Sequence, residues 1–177
     1  MRTPLDVRNP FAAEIAIATT RDPSLTRQHR RAWVGGLAAG ALLASPGAQA
    51  CWEAAANRYG ISSALLYAIA QTESSLNPRA IGHNRNGSRD IGLMQINSWW
   101  LPRLAAYGIT EAHLFDPCTN LHVGAWILAG NVQRLGYRWE AVGAYHARNP
   151  ALRRAYVQRI QRRLSQPTFP SPNQEQP

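Results

Sequence analysis

The stretch "AIAQTESSLNP", residues 68–78, sets a carboxylate on the apolar side of a helix, one turn before the helix must stop. Residues 63–76 predict that helix: Ser62 or Ser63 can cap its start, and Leu65, Leu66, Ile69, Ala70 and Leu76 recur at helical spacing. Glu73 lies four residues after Ile69, seven after Leu66 and three before Leu76, so it shares their face. No Arg or Lys stands three or four residues away to pair with it. The negative end of the helix macrodipole and removal from water both disfavour the charged form and raise the pKa. A carboxyl group that keeps its proton near neutral pH can act as a general acid. The competing reading is an exposed helix-edge Glu, or one paired with a distant Arg.

Few other groups offer chemistry. Asp90 ends a polar loop and is the candidate second carboxylate, with a turn-capping role as its alternative; Asp116 reads as a helix cap. His83, His113, His122 and His146 show no metal-ligand spacing, so neither metal nor cofactor is expected. There is no nucleophile elbow and no phosphate-cradling loop.

Around this stretch the chain reads as mostly helical, with at most a small sheet. Residues 51–59 predict a short helix closed by Gly60. Residues 77–90, "NPRAIGHNRNGSRD", are turn-rich and carry the hairpin signal Asn86-Gly87, and "IGLMQIN" follows as a small strand or irregular buried segment. Helices are expected over 98–107, briefly over 110–114, from Asp116-Pro117 to about Leu135, and over 139–147. "ALRRAYVQRIQRRL" closes the set, with Leu152, Tyr156, Ile160 and Leu164 spaced by four and an Arg-rich outer face. Residues 165–177, rich in Pro, are expected to be a disordered tail.

The N-terminal part reads as an export signal. Residues 27–50 combine Arg27, Arg30 and Arg31, an apolar run over 33–44, a break at Pro46-Gly47, and the cleavage pattern Ala48-Gln49-Ala50. An uncleaved anchor or an apolar core helix is the alternative. Residues 1–26 read as an extension, with a mis-assigned start as one explanation. The expected domain is 51–164, exported to the periplasm, with no stable membrane span after cleavage. The chain after Ala50 holds 13 Arg, no Lys and 7 Asp+Glu. That excess suits an anionic partner such as cell-wall polymer, while export argues against nucleic acid. Cys51 and Cys118 form an even count in an exported chain, which predicts a disulfide contributing about 4 kcal/mol in the chain-entropy model. A lipid-modified Cys51 is the alternative.

Three ordered stretches, "TESSLNPRA", "DIGLMQIN" and "AVGAYHARNP", together with "DPCTNLHVGAWILA", resemble the soluble lytic transglycosylase domain of the lysozyme-like superfamily. The likeness is strongest to small exported members that accompany type III and type IV secretion, conjugation and pilus systems. It implies a mainly α (α+β) lysozyme-like domain with a small β-hairpin beside the cleft, and cleavage of peptidoglycan glycan strands to 1,6-anhydro ends. By that resemblance Glu73 is the catalytic acid, and Ser74 orients it or the sugar. Met94 and Gln95 line the cleft, Tyr145 points its hydroxyl at Glu73, and His146 contacts the sugar. Core packing is the alternative for Met94 and Tyr145. His146 and Arg148 depart from the family's Ala-Tyr-Asn-Ala-Gly. Trp99 and Trp100 are expected mainly in the core, with sugar stacking as the second reading. Two other functions stay open: a lysozyme-like hydrolase using Asp90 to place water, and a non-catalytic wall-binding scaffold.

Overall fold

The computed structural model describes residues 46–166. The extension over 1–26, most of the signal segment over 27–50 and the tail from Pro167 onward therefore lie outside the described residues. Helix α1 runs Pro46–Tyr59 and α2 runs Ser63–Ser74. Strands β1 Ile81–His83, β2 Arg89–Ile91 and β3 Ile96–Asn97 follow. A 3-10 turn at Ser98–Trp100 leads into α3, Leu101–Ala105, and another at Ala112–Phe115 precedes α4, Pro117–Leu135. The last two helices are α5, Trp139–His146, and α6, Pro150–Leu164.

Three boundaries differ from the sequence reading. Helix α1 starts five residues earlier than expected, because Pro46 serves as a first helical residue, where its missing N–H costs nothing, rather than as a breaker. Helix α2 stops at Ser74, not Leu76: Ser75 and Leu76 both turn left-handed, at φ 54° and 65°. The helix expected over 98–107 is split into a 3-10 turn and the short α3, which closes at Gly108 with φ 75°.

The helices build a single core around α4. Ten of its residues are buried, and it packs on α1 and α5, while α6 packs on α2 and α5. From α2, Leu66 and Ile69 are wholly removed from water, each contributing about 2–3 kcal/mol of apolar burial. The Cys51–Cys118 disulfide joins α1 to the first turn of α4. The sheet is antiparallel, in the order β1-β2-β3, so it has one strand more than a hairpin. Its register sets Gly82 opposite Asp90, and Asp90 opposite Asn97.

The sheet is anchored by Asn120 of α4, which is fully buried. Its amide donates to the Ile91 and Leu114 carbonyls at 2.9 and 2.7 Å, and its oxygen accepts from the Met94 N–H at 2.7 Å. Gly92, at φ 75°, lies so close that a Cβ there would collide with the Asn120 amide and the Leu114 carbonyl. One side chain thus fixes the "IGLMQIN" segment against the helical core.

Candidate active site

The site begins at the C-terminal end of α2. Ser62 caps the helix start, accepting from the Leu65 N–H. At the other end the left-handed Ser75 and Leu76 aim their N–H groups back at the Gln71 and Ala70 carbonyls. Two consecutive non-glycine residues in this conformation store of the order of 1–3 kcal/mol each. The Ser74 hydroxyl donates to the Leu93 carbonyl at 2.7 Å, with the Ala70 carbonyl also within 3.2 Å. The last turn of α2, which carries Glu73, is thereby pinned to the loop between β2 and β3.

Glu73 lies in the last turn of α2. Its side chain as a whole is partly exposed, yet Oε1 is shielded from solvent and has no hydrogen-bond partner. Burial is the largest influence on its carboxyl, whose pKa is pushed up to about 7. The Tyr156 hydroxyl and the Arg159 charge oppose the rise, and the Asp90 charge adds to it.

Tyr156, from α6, is fully buried beside Glu73. The two groups are close enough to move each other's pKa as hydrogen-bond neighbours, but they do not meet strict hydrogen-bond geometry, so the contact is a loose one. Burial and the Glu73 charge together keep the Tyr156 phenol protonated. The His146 ring stacks flat on the Tyr156 ring at 4.6 Å and 3°, and the Arg159 guanidinium lies 5.6 Å from the Tyr156 ring centre. Burial, then the Arg159 charge, hold the His146 pKa below its ordinary value.

The sheet supplies a second carboxylate. Asp90 on β2 accepts from the Asn84 amide at 2.9 Å and from the Asn97 amide at 2.7 Å. Its charge acts on Glu73, Tyr145 and His146, so it stands near all three. The arrangement sets an acid of raised pKa at a helix end near an amide-held carboxylate on the sheet.

A family model described as the transglycosylase SLT domain matches residues 50–163. The chain belongs to this family. The transglycosylase domain is 50% identical over 115 residues to the invasion protein IagB of Salmonella typhimurium, covering 62% of this chain and 72% of that protein. It is 46% identical over 98 residues to the protein IpgF of Shigella flexneri, covering 55% and 64% respectively. Among solved structures it resembles the lytic transglycosylase Slt of Pseudomonas aeruginosa, solved as an inactive mutant, with TM-score 0.55 and 21% identity. That match covers 66% of this chain and 23% of the longer Slt chain, and speaks to the fold. The chain is an enzyme of the lytic transglycosylase class, and its fold is lysozyme-like.

Within the transglycosylase domain, the residues singled out from the sequence divide into two groups. Glu73, Asp90, Tyr145 and His146 come together. Met94 does not line the cleft: it is fully buried, its side chain pressed against Gly124 of α4, and only its carbonyl serves the site. Tyr145 donates its hydroxyl to that Met94 carbonyl at 2.8 Å instead of to Glu73, although burial first and then the Glu73 charge raise its pKa. The Gln95 amide nitrogen is turned inward to the Gly92 carbonyl at 2.9 Å and lies 3.3 Å from the Ala80 carbonyl. Gln95 itself sits left-handed at φ 49°. Ser74 acts as the clip already described. Tyr156 was missed as a site residue. Its spacing four from Leu152 and Ile160 is that of a plain apolar stripe, and only its phenolic oxygen hinted at more.

Proposed function

We propose that this transglycosylase cleaves the β-1,4 bond between N-acetylmuramic acid and N-acetylglucosamine in peptidoglycan, with Glu73 as its one proton carrier. The observation that supports this is the shielded Glu73 Oε1, held by no more than the loose Tyr156 contact, on a carboxyl of pKa about 7. At neutral pH about half the molecules hold the proton there. Glu73 gives that proton to the glycosidic oxygen as the bond from the muramic anomeric carbon to that oxygen breaks, and N-acetylglucosamine leaves with a free 4-hydroxyl. The muramic 6-hydroxyl then bonds to the same anomeric carbon, and its proton passes to the Glu73 carboxylate. The acid is regenerated, a 1,6-anhydro ring forms, and no water is consumed. Donor and acceptor duties fall on one group in turn, so a pKa near the working pH suits both steps.

Asp90 gives a second reading its footing. A charged carboxylate near a protonated one is the pairing of a hydrolase, in which the second carboxylate attacks or activates water. Against it, both Asp90 oxygens already accept amide hydrogen bonds. Product mass separates the two: anhydro ends are lighter than reducing ends by one water. Digestion of purified peptidoglycan should yield anhydro ends with wild type and none with Glu73→Gln. Reducing ends would favour the hydrolase, and digestion undiminished by Glu73→Gln would remove Glu73 from the mechanism. Wall binding without cleavage by wild type would leave only the scaffold reading.

We place the working domain in the periplasm, exported by the segment before Cys51 and opening the wall locally for a secretion, conjugation or pilus assembly. The disulfide suits an oxidising compartment. Among the described residues no helix is long and apolar enough to cross a membrane. The similarity to a protein named for invasion supports such service.

A further inference from the structure

Trp99 does not behave as the core residue its sequence context suggests. It is 70% exposed, the most exposed of the large apolar side chains among the described residues. Its position is nevertheless fixed. Its N–H donates to Asn97 Oδ1 at 2.9 Å, and its ring meets Trp100 edge to face at 5.1 Å and 82°. Trp100 in turn packs edge to face on Trp126 of α4 at 5.6 Å, and Arg103 holds its guanidinium 4.9 Å from the Trp126 ring centre. A large aromatic left in water costs stability through its unburied area. Here a ladder of rings ending in the core holds that exposed face still.

The place of the ring is as telling as its exposure. The side chain of Asn97, which accepts from the Trp99 N–H, gives its own amide to Asp90 Oδ1 at 2.7 Å. One amide side chain therefore separates the Trp99 backbone from the carboxylate near Glu73. The Ser98 hydroxyl, accepting from the Arg89 N–H at 3.0 Å, fastens the same turn to β2. The aromatic face stands at the end of the sheet, rigidly linked to the site.

We propose that Trp99 is a sugar-binding platform, on which a pyranose ring of the glycan strand outside the cleaved disaccharide stacks its apolar face. The proposal rests on the glycan-cleaving function above. A polymeric substrate must be gripped beyond the two reacting sugars, and remote binding energy aligns the bond to be broken. A pre-ordered aromatic contributes contact area with little loss of side-chain entropy on binding. This also accounts for an otherwise wasteful exposure.

The test is made with the full chain and glycans of defined length. Trp99→Ala should weaken use of long strands about tenfold, mainly through KM, and the loss should shrink as the strand is shortened. Trp99→Phe should restore most of the loss. Thermal melting should be nearly unaltered, since the ring is mostly in water. In a second arm, chito-oligosaccharides are titrated by calorimetry against Glu73→Gln with and without Trp99→Ala. The affinity gap between the two proteins should widen with chain length. This arm needs no turnover, so it judges the platform even if wild type proves unable to cleave glycan. Equal losses on short and long substrates, a loss confined to kcat, or oligosaccharide binding that is undetectable or indifferent to Trp99 would each overturn the proposal.

Discussion

Two polar side chains beside the same "IGLMQIN" segment, the buried Asn120 and the partly buried Glu73, are treated in opposite ways. Asn120 is fully buried and spends both amide protons and its oxygen on backbone groups. Glu73 keeps an oxygen shielded from water with no hydrogen bond of good geometry, only the loose Tyr156 contact. Leaving a buried polar atom unpaired costs about 1–3 kcal/mol, and more if it is charged. The fold bears that cost at one place and avoids it at the other. The satisfied group is scaffold. The unsatisfied one stores free energy that a sugar oxygen can release by accepting its proton. Ser74 joins the two, clipping the helix that holds Glu73 to the loop that Asn120 holds.

The comparison is broken most severely by Glu73→Gln, which keeps the shape and removes the proton. Turnover of peptidoglycan should fall about 1,000-fold, read from release of soluble fragments. In wild type, turnover should also decline as pH rises through about 7, where Glu73 loses the proton it must donate.

Next in size is the scaffold side. Asn120→Ala strips partners from the Ile91 and Leu114 carbonyls and from the Met94 N–H. It should cost about 3 kcal/mol in denaturant unfolding and loosen the loop beneath the site. A variant as stable as wild type would mean that water fills the role and that Asn120 is no keystone.

The third test asks whether Glu73 is stored strain. Its folded-state pKa, about 7, lies above the ordinary 4.5. The folded state therefore holds the proton more tightly than the unfolded chain does. The stability this provides is complete below pH 4.5 and is lost as pH rises through 7. Relative to its difference from wild type at pH 4, Glu73→Gln should gain about 3 kcal/mol by pH 8.5. A difference that ignores pH would show Glu73 to be ordinarily solvated.

The smallest effect concerns the loose Tyr156 contact. Its hydroxyl favours the ionised Glu73, so Tyr156→Phe should move the alkaline limb of the pH–rate profile upward and slow turnover about tenfold. A purely structural tyrosine would lower the melting temperature and leave the limb where it is.

Much of this was legible in the residues. Periodicity fixed the buried face of α2, since burial of an apolar stripe imposes the helical repeat on the sequence, but on α6 it held only for Tyr156 and Ile160, as Leu152 and Leu164 at the two ends are exposed. The Asp116-Pro117 start and Gly136 stop of α4 fall where capping chemistry sets them. The oddity of Glu73 was legible for the same reason: a charge interrupting a pattern is visible wherever the pattern is. What the sequence could not determine is which groups meet from distant segments. Met94 and Tyr145 are 51 residues apart and joined by one hydrogen bond. Tyr156 reaches Glu73 only because α6 packs on α2. Of the two adjacent tryptophans, Trp100 is the one that packs against the core, and Trp99 is left in water. Local spacing reports which face of an element is apolar. Contacts between elements depend on how those faces are laid together, and that was decided by tertiary packing alone.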